Sequence, residues 1–362
     1  MLPKLLFVYI HPASFVREDI RLLEEAYEVV SFRFGGAQKP GLFAFAGLFC
    51  KQLFWLLREL PGAVAVYGWF VDYHMVLPVA AARCFRKPVL AVVGGFDAVS
   101  LPSLGHGVAL TGWRRRLARM VFRRADALLP VSPSLVRSKN RFSEGPEARE
   151  YGFRMLAPDT PAAVLVVPTG YDPGAWPAGP DDRAPVVGTV GFIDEGRTFR
   201  IKGIDLFLDA ARLMPDVRFR IVGVRNREAI AARYDPPPNV EMIPPVPREQ
   251  LPAQYHEMSV YVQLSRAEGF PNVLCEAMLC GCVPVGSRVF GIPDCIGEAG
   301  FLVDESHASA VCEAIRAALR AADPVLRTAA RARIERFFHR DRRREKLLTI
   351  LAGFTGGGRH VR

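Results

Sequence analysis

Long apolar runs are missing from this 362-residue sequence, and none reaches the roughly 20 residues that a membrane-spanning helix needs. The apolar start, Met1 to Ile10, is too short and too polar just afterwards for a signal peptide, and reads as a first buried strand. Cysteine is sparse. The seven that occur form no CxxC pair, which excludes a zinc or disulfide framework and makes a reducing cytosol the simplest setting. No Ser-His-Asp or metal-ligand constellation stands out. Nor is there a helix-turn-helix or aromatic-plus-basic module, which argues against a nucleic-acid partner. No internal repeat is visible, and low complexity is confined to a Gly-rich tail expected to stay unstructured. Half of the residues are hydrophobic and 23% are charged, a soluble globular balance. The length gives room for two domains.

Acidic residues are scarce in the first half. Residues 1–170 hold 21 Lys/Arg against 13 Asp/Glu, whereas residues 171–362 hold 26 against 24, so most of the net +10 lies early. The densest cluster is Arg114, Arg115, Arg116, Arg119, Arg123 and Arg124. It reads either as a solvated helix face or as a surface for anionic lipid head groups or an acidic substrate.

Short apolar runs alternate with helical patterns throughout, the mark of α/β layers with parallel sheets. Strands are expected at 5–10, 28–32, 63–67, 89–93, 127–131 and 163–167, with helices at 15–26, 42–60, 73–85, 113–124 and 134–141. The Pro/Gly-rich stretch Pro168–Pro180 reads as a connector. A second series follows it: strands at 186–192, 217–222, 240–243, 260–264 and 282–285, a helix at 203–214, and basic helices from about 306 to 351. The expected division is 1–172, 173–335 and a C-terminal segment 336–362 that packs back on the first domain. Two open α/β domains in series place a ligand crevice at their strand C-termini, between the domains.

The run from Ser265 to Met278 is the most informative stretch. A strand pattern precedes it and a helix pattern follows, so Glu268 lies in a strand-to-helix loop and Glu276 one to two turns into the helix. Pro271 suits the first helical position, and Gly269 lets the backbone approach a ligand closely. Free amides at such a helix start attract phosphate. Carboxylates beside an anion site call for a ligand that is both polyhydroxylated and phosphorylated, and a nucleotide sugar fits. In the second domain a strand runs into a loop with Arg197 and Arg200, and a helix starts at Lys202-Gly203-Ile204-Asp205. Lys202 is placed to reach a diphosphate, with one of the two arginines as a second cation.

These motifs, with Arg220-Ile221-Val222-Gly223, Glu276-Ala277-Met278 and Gly281-Cys282-Val283-Pro284-Val285, resemble the retaining "group 1" (family 4-like) GT-B glycosyltransferases. The likeness is dense over 185–305 and thinner in the first half, where Ser14-Phe15-Val16, Asp19-Ile20 and Gly94-Gly95-Phe96-Asp97 resemble bacterial members of polysaccharide and glycan biosynthesis. It implies an α/β GT-B fold, two Rossmann-like doubly wound domains facing across a cleft. It also implies metal-independent transfer without a cofactor, from a UDP- or GDP-sugar, with retention of configuration. Carried to matching positions, Glu268 contacts the transferred sugar, Glu276 the ribose and Lys202 the diphosphate. The backbone of Gly269, Phe270, Pro271 and Asn272 lies near sugar and phosphates, and the base lies near Arg225 and Val246.

Three departures stand out. Phe192 occupies a position where the family often has an arginine. Gly94-Gly95-Phe96-Asp97 stands where a histidine often faces the sugar, which leaves Asp97 either an acceptor-side carboxylate with a catalytic role or a turn aspartate. His11-Pro12-Ala13-Ser14-Phe15 replaces a Gly-Gly loop, with Ser14 and Phe15 near acceptor or phosphate and His11 read as structural. Trp69, Asp72, Tyr73 and His74 suit an acceptor pocket or the core. The apolar helix at 42–57 and the Arg114–Arg124 cluster together suggest a glycan or lipid-linked acceptor and peripheral contact with an anionic membrane, on the cytoplasmic face. A nucleotide-sugar epimerase and a catalytically weak nucleotide-sugar or polyanion binder remain as other classes.

Overall fold

Runs that are apolar on both faces can be satisfied only between two helical layers, and that requirement builds both halves of this chain. The computed structural model describes residues 1–35, 41–145 and 147–356. In the first half, β1 (Lys4–Tyr9), β2 (Glu28–Arg33), β3 (Ala63–Trp69), β4 (Val89–Val93) and β5 (Ala127–Pro130) lead to a small hairpin, β6 (Ser138–Asn140) with β7 (Arg149–Tyr151), and then to β8 (Ala163–Val164). The sheet order is β2-β1-β3-β4-β5-β8, and every pairing in it is parallel. The second half repeats the plan with β9 (Val186–Ile193), β10 (Arg218–Val224), β11 (Val240–Ile243), β12 (Val260–Gln263), β13 (Val283–Ser287) and β14 (Phe301–Val303), ordered β11-β10-β9-β12-β13-β14 and again all parallel.

Two expectations for the elements need correction. Residues 134–141 form no helix: a short turn at Pro133–Leu135 leads into β6, and the Asn140 side chain closes the following turn by accepting from the Ser143 amide at 3.0 Å. The helix expected at 73–85 begins at Val76, because Asp72 caps a separate turn at Tyr73–Met75. The Gly-rich tail lies, from residue 357 on, outside the described residues.

The chain crosses between the halves twice. One crossing is the stretch between β8 and β9, and the other is at 338–340. They pair with each other, Tyr171 N–H donating to Phe338 O and Arg340 N–H to Tyr171 O, both at 2.8 Å. After the second crossing, the helix Arg340–Thr355 lies on the first-domain helix Ser14–Glu24. Arg343 donates to Asp19 at 2.5 and 2.7 Å, and to the carbonyls of Val167 and Pro168 at 2.7 and 2.8 Å. Tyr67 and Trp69 each donate to the same carboxylate at 2.7 Å. Both charges are buried, and each is fully partnered, as burial demands.

Candidate active site

In each sheet the strand order reverses beside the first strand, β1 or β9, so the loops leaving neighbouring strands part and open a crevice at their C-terminal ends. In the second domain these loops follow β9 and β12. The first contains the helix Arg197–Ile201 and ends at Lys202. Gly203 then turns the chain at φ +69°, pressed so close to the Leu264 carbonyl that any side chain there would collide. That contact brings the β9 loop against the β12 loop.

The result is a direct ion pair. Lys202 Nζ lies 2.8 Å from Glu268 Oε2. Ser265 Oγ and Gln263 Nε2 donate to the same oxygen at 3.2 and 3.3 Å, and Tyr261 holds Gln263 through a 3.0 Å bond. Among the described residues no side chain donates to Glu268 Oε1, so the carboxylate is fixed through one oxygen with the other left for a ligand. The helix Asn272–Leu279 follows Pro271 with no side-chain cap, which leaves amides at its start available. Pro271 precedes the first helical residue rather than occupying it. Asn272 receives the Tyr171 hydroxyl at 2.6 Å.

Glu276 is the fifth residue of that helix and is buried. Arg248 donates to Oε1 at 2.8 Å and Tyr255 to Oε2 at 3.3 Å. Burial nevertheless dominates and pushes the carboxyl up from its ordinary 4.5 to about 7. Arg248 also rests over the Trp176 ring, 5.1 Å from its centre. A cavity of about 280 Å³ opens beside it, lined by Ser14 and Phe15 from the first domain and by Thr169, Trp176, Arg248 and Asn272.

The first domain meets the second backbone to backbone. A side chain on Gly269 would strike the Gly94 carbonyl, and one on Gly95 would press on the Gly269 backbone. Asp97 sits under this contact. Its carboxylate accepts from the amides of Val71 at 2.9 Å, Gly95 at 2.8 Å and Gly94 at 3.1 Å, and it is buried. Burial raises its pKa to about 6, against the pull of those amides. Asp97 therefore shapes the Gly94-Gly95 loop and presents no carboxylate to the crevice, which corrects its expected catalytic role.

Trp69 and Asp72 are likewise turned inward. Trp69 is buried against Asp19 and packs on Phe15, ring centres 4.5 Å apart. Asp72 is buried in a pair with Arg114 and caps the Tyr73 amide. Neither lines an acceptor pocket. Arg197 reaches across the crevice and donates to the Gly105 carbonyl at 2.8 Å, while Arg200 is exposed. Arg225 stacks over Phe192 at 5.6 Å on the open side, and Val246 is half-buried in the turn after β11. Sequence reading missed Arg248, Gln263, Ser265 and Tyr171. The alternation Gln263–Ser265 after an apolar strand was the available signal, since polar groups at a strand's C-terminal end in such a sheet face the crevice.

Residues 184–321 match the family described as "Glycosyl transferases group 1". D-inositol 3-phosphate glycosyltransferase of Segniliparus rotundus is 33% identical over 193 residues, 48% of this chain and 42% of that protein. The D-inositol 3-phosphate glycosyltransferase of Pseudarthrobacter chlorophenolicus is 33% identical over 144 residues, 36% of this chain and 34% of that protein. The chain thus spans less than half the length of these curated relatives. Two solved structures share its whole architecture. Sucrose-phosphate synthase from Thermosynechococcus elongatus has a TM-score of 0.74 at 15% identity, covering 98% of this chain and 100% of its own. HepE of Anabaena, in complex with UDP and glucose, has a TM-score of 0.69 at 16% identity, covering 97% and 99%. The group 1 resemblance and the GT-B fold read from the sequence are borne out.

Proposed function

We propose that this chain, a GT-B protein whose second domain is of the group 1 glycosyltransferase type, moves a sugar from a nucleotide-diphospho-sugar to an acceptor hydroxyl with retention of configuration and without a metal. The observation that carries this reading is the Lys202–Glu268 pair at the foot of an uncapped helix. Glu268 Oε1 accepts a hydroxyl of the transferred sugar. A diphosphate arriving at the helix start attracts Lys202, which stabilises the charge that develops on the leaving nucleotide. Glu276, with Arg248 beside it, accepts the ribose hydroxyls. The proton of the acceptor passes to the departing phosphate, and the closed glycine contact keeps water out. HepE was solved with UDP and with UDP-glucose, which supports a nucleotide-sugar donor here, UDP- or GDP-linked.

The acceptor is a glycan or lipid-linked glycan approached from the first domain. The related enzymes are named for an inositol phosphate, and the arginine-rich first domain suits a phosphate-bearing molecule. Its exposed face joins apolar and basic residues. Phe43, Phe54, Leu57 and Trp113 are exposed, and Trp113 touches Tyr73 and Phe45, so the apolar helix Leu42–Glu59 and the arginine helix Gly112–Arg124 share one side. Arg115, Arg116, Arg119 and Arg124 of the arginine helix are exposed, whereas Arg114 is turned inward and Arg123 pairs with Asp159. Among the described residues no helix is long and apolar enough to cross a membrane.

Incubating the protein with UDP-, GDP- and dTDP-sugars and following nucleotide release and transfer tests the assignment. E268Q and K202A are expected to lose roughly 100-fold or more in turnover. Wild-type turnover by both variants removes the site, interconversion of the donor sugar identifies an epimerase, and binding without release identifies a binder.

A further inference from the structure

The segment after β11 supplies two donors to one buried carboxylate. Pro247 opens a short turn, Arg248–Gln250, that runs into the helix Leu251–His256. Arg248 comes from the turn and Tyr255 from the helix, and both donate to Glu276. The Tyr255 ring meets Trp176 edge-on at 6.0 Å and Tyr261 of β12 at 5.9 Å, so this donor belongs to an aromatic row. The other charged groups around the helix Asn272–Leu279 are engaged elsewhere. Arg331, from the helix Pro324–Phe337, donates to the carbonyls of Trp176 and Leu279 and pairs with Glu335. Arg183 donates to the carbonyls of Met258 and Cys280. Burial holds the protons on Cys275, Cys280, Cys282, Tyr255 and Tyr261. Among the described residues Arg248 is thus the only cation paired with Glu276. Its side chain is half exposed and lines the cavity of about 280 Å³ beside Asn272, with the carboxylate buried behind it.

We infer that Arg248 is the positioning residue that makes Glu276 an acceptor for ribose, and that it sets a preference for ribonucleotides over 2′-deoxyribonucleotides. The guanidinium takes one lone pair of Oε1, and the Tyr255 hydroxyl one of Oε2. An ionised carboxylate offers about four, so one on each oxygen remains for the ribose hydroxyls. The cation also opposes burial. Of the neighbours that favour the charged form, Arg248 acts most strongly and Tyr255 next. Without the guanidinium the carboxyl keeps its proton to higher pH, and a protonated carboxyl has lost acceptor capacity. A bond to a charged acceptor penalises a missing hydroxyl more than a bond to a neutral one. The ring of Trp176 lies under the guanidinium and limits its swing into the cavity. Arg248 stands between that cavity and the carboxylate, so ribose meets the pair rather than Glu276 alone.

Arg248 has this role only within the glycosyl-transfer reading, and the test separates the two. Affinity for UDP, GDP and their 2′-deoxy counterparts is measured by calorimetry from about pH 6 to 9 for wild type, R248M and R248K. Nucleotide release from UDP- and GDP-sugars gives kcat and KM beside it. In R248M the pH at which affinity rises should move up by about 1–3 units. Affinity near pH 7.5 should fall about tenfold or more, and the gap should narrow toward about pH 9. The preference for the ribonucleotide near pH 7.5 should shrink from about 30-fold to about fivefold. The loss should fall on KM, with kcat held within about twofold, because the ribose is remote from the bond that breaks. R248K, which keeps a cation, should restore most of the shift. A pH profile and a ribose preference unchanged in R248M overturn the inference. So does a uniform loss at every pH with the preference intact, the mark of a direct phosphate contact. An R248K profile as shifted as that of R248M does the same, since packing alone would explain it. Wild-type affinity blind to the 2′-hydroxyl overturns the inference and leaves the transferase reading standing. Absence of both nucleotide binding and release in the wild type overturns the transferase reading, and this inference with it.

Discussion

Glu276 is the residue whose chemistry depends most on its surroundings. Its carboxyl is held protonated up to about pH 7, whereas the unfolded chain gives up that proton near 4.5. Folding therefore binds a proton between these values. The group's contribution to stability is complete below about pH 4.5 and is lost as pH rises through about 7. Ribose hydroxyls, however, need a carboxylate to accept them. UDP or GDP affinity, measured by calorimetry, should rise roughly tenfold from about pH 6 to 8, and E276Q should flatten the profile. A pH-independent wild-type affinity would remove Glu276 from the nucleotide. Glu268 and Lys202 could be placed from sequence because strand, Gly269, Pro271 and helix leave the loop few other shapes. Their direct contact could not, since it depends on the Gly203 turn meeting Leu264 across 61 residues of chain. Asp97 misled because an aspartate after Gly-Gly-Phe satisfies a turn and an active site equally well, and only the three amide bonds decide.

Among the elements, the helices Leu42–Glu59 and Gly112–Arg124 belong together although 53 positions separate the end of one from the start of the other. Each looked ambiguous alone, one apolar and one basic. Phe45 and Phe49 pack on Phe34, which accounts for the inner side of the first helix, while Phe43, Phe54 and Leu57 remain outside. Replacing Arg115, Arg116 and Arg119 by glutamine should weaken binding to phosphatidylserine vesicles at low salt by roughly 100-fold, at about 1 kcal/mol per lost charge. Phe54→Ser should weaken it on neutral and anionic vesicles alike. Sedimentation of wild type equal to that of the triple variant would show the arginines to be a solvated face. The missed turn at 133–140 has a local cause: a short segment with Pro133 at its start and Asn140 at its end favours a capped turn, and tertiary pairing with β7 then takes the rest.

At the scale of the whole molecule, the Asp19–Arg343 pair joins residues 324 positions apart. It locks the last helix to the first domain. Asp19→Ala strands a buried guanidinium and should cost about 3–5 kcal/mol in denaturant unfolding, whereas the double replacement by Leu and Met should cost much less. Hydrogen exchange in 340–355 should quicken in the single variant; an unchanged midpoint would show the pair to be dispensable. The doubly wound halves were legible because buried parallel strands read as unbroken apolar runs. The long-range ion pair was not, because nothing local distinguishes Arg343 from the arginines around it. The two crossings bear on more than geometry. Pro180, Asp181 and Asp182 in the first crossing are exposed, and the second lies hydrogen-bonded alongside Tyr171. The covalent thread is thus duplicated by a non-covalent seam, and a chain nicked near Pro180 would remain a single particle, two fragments carrying one crevice between them.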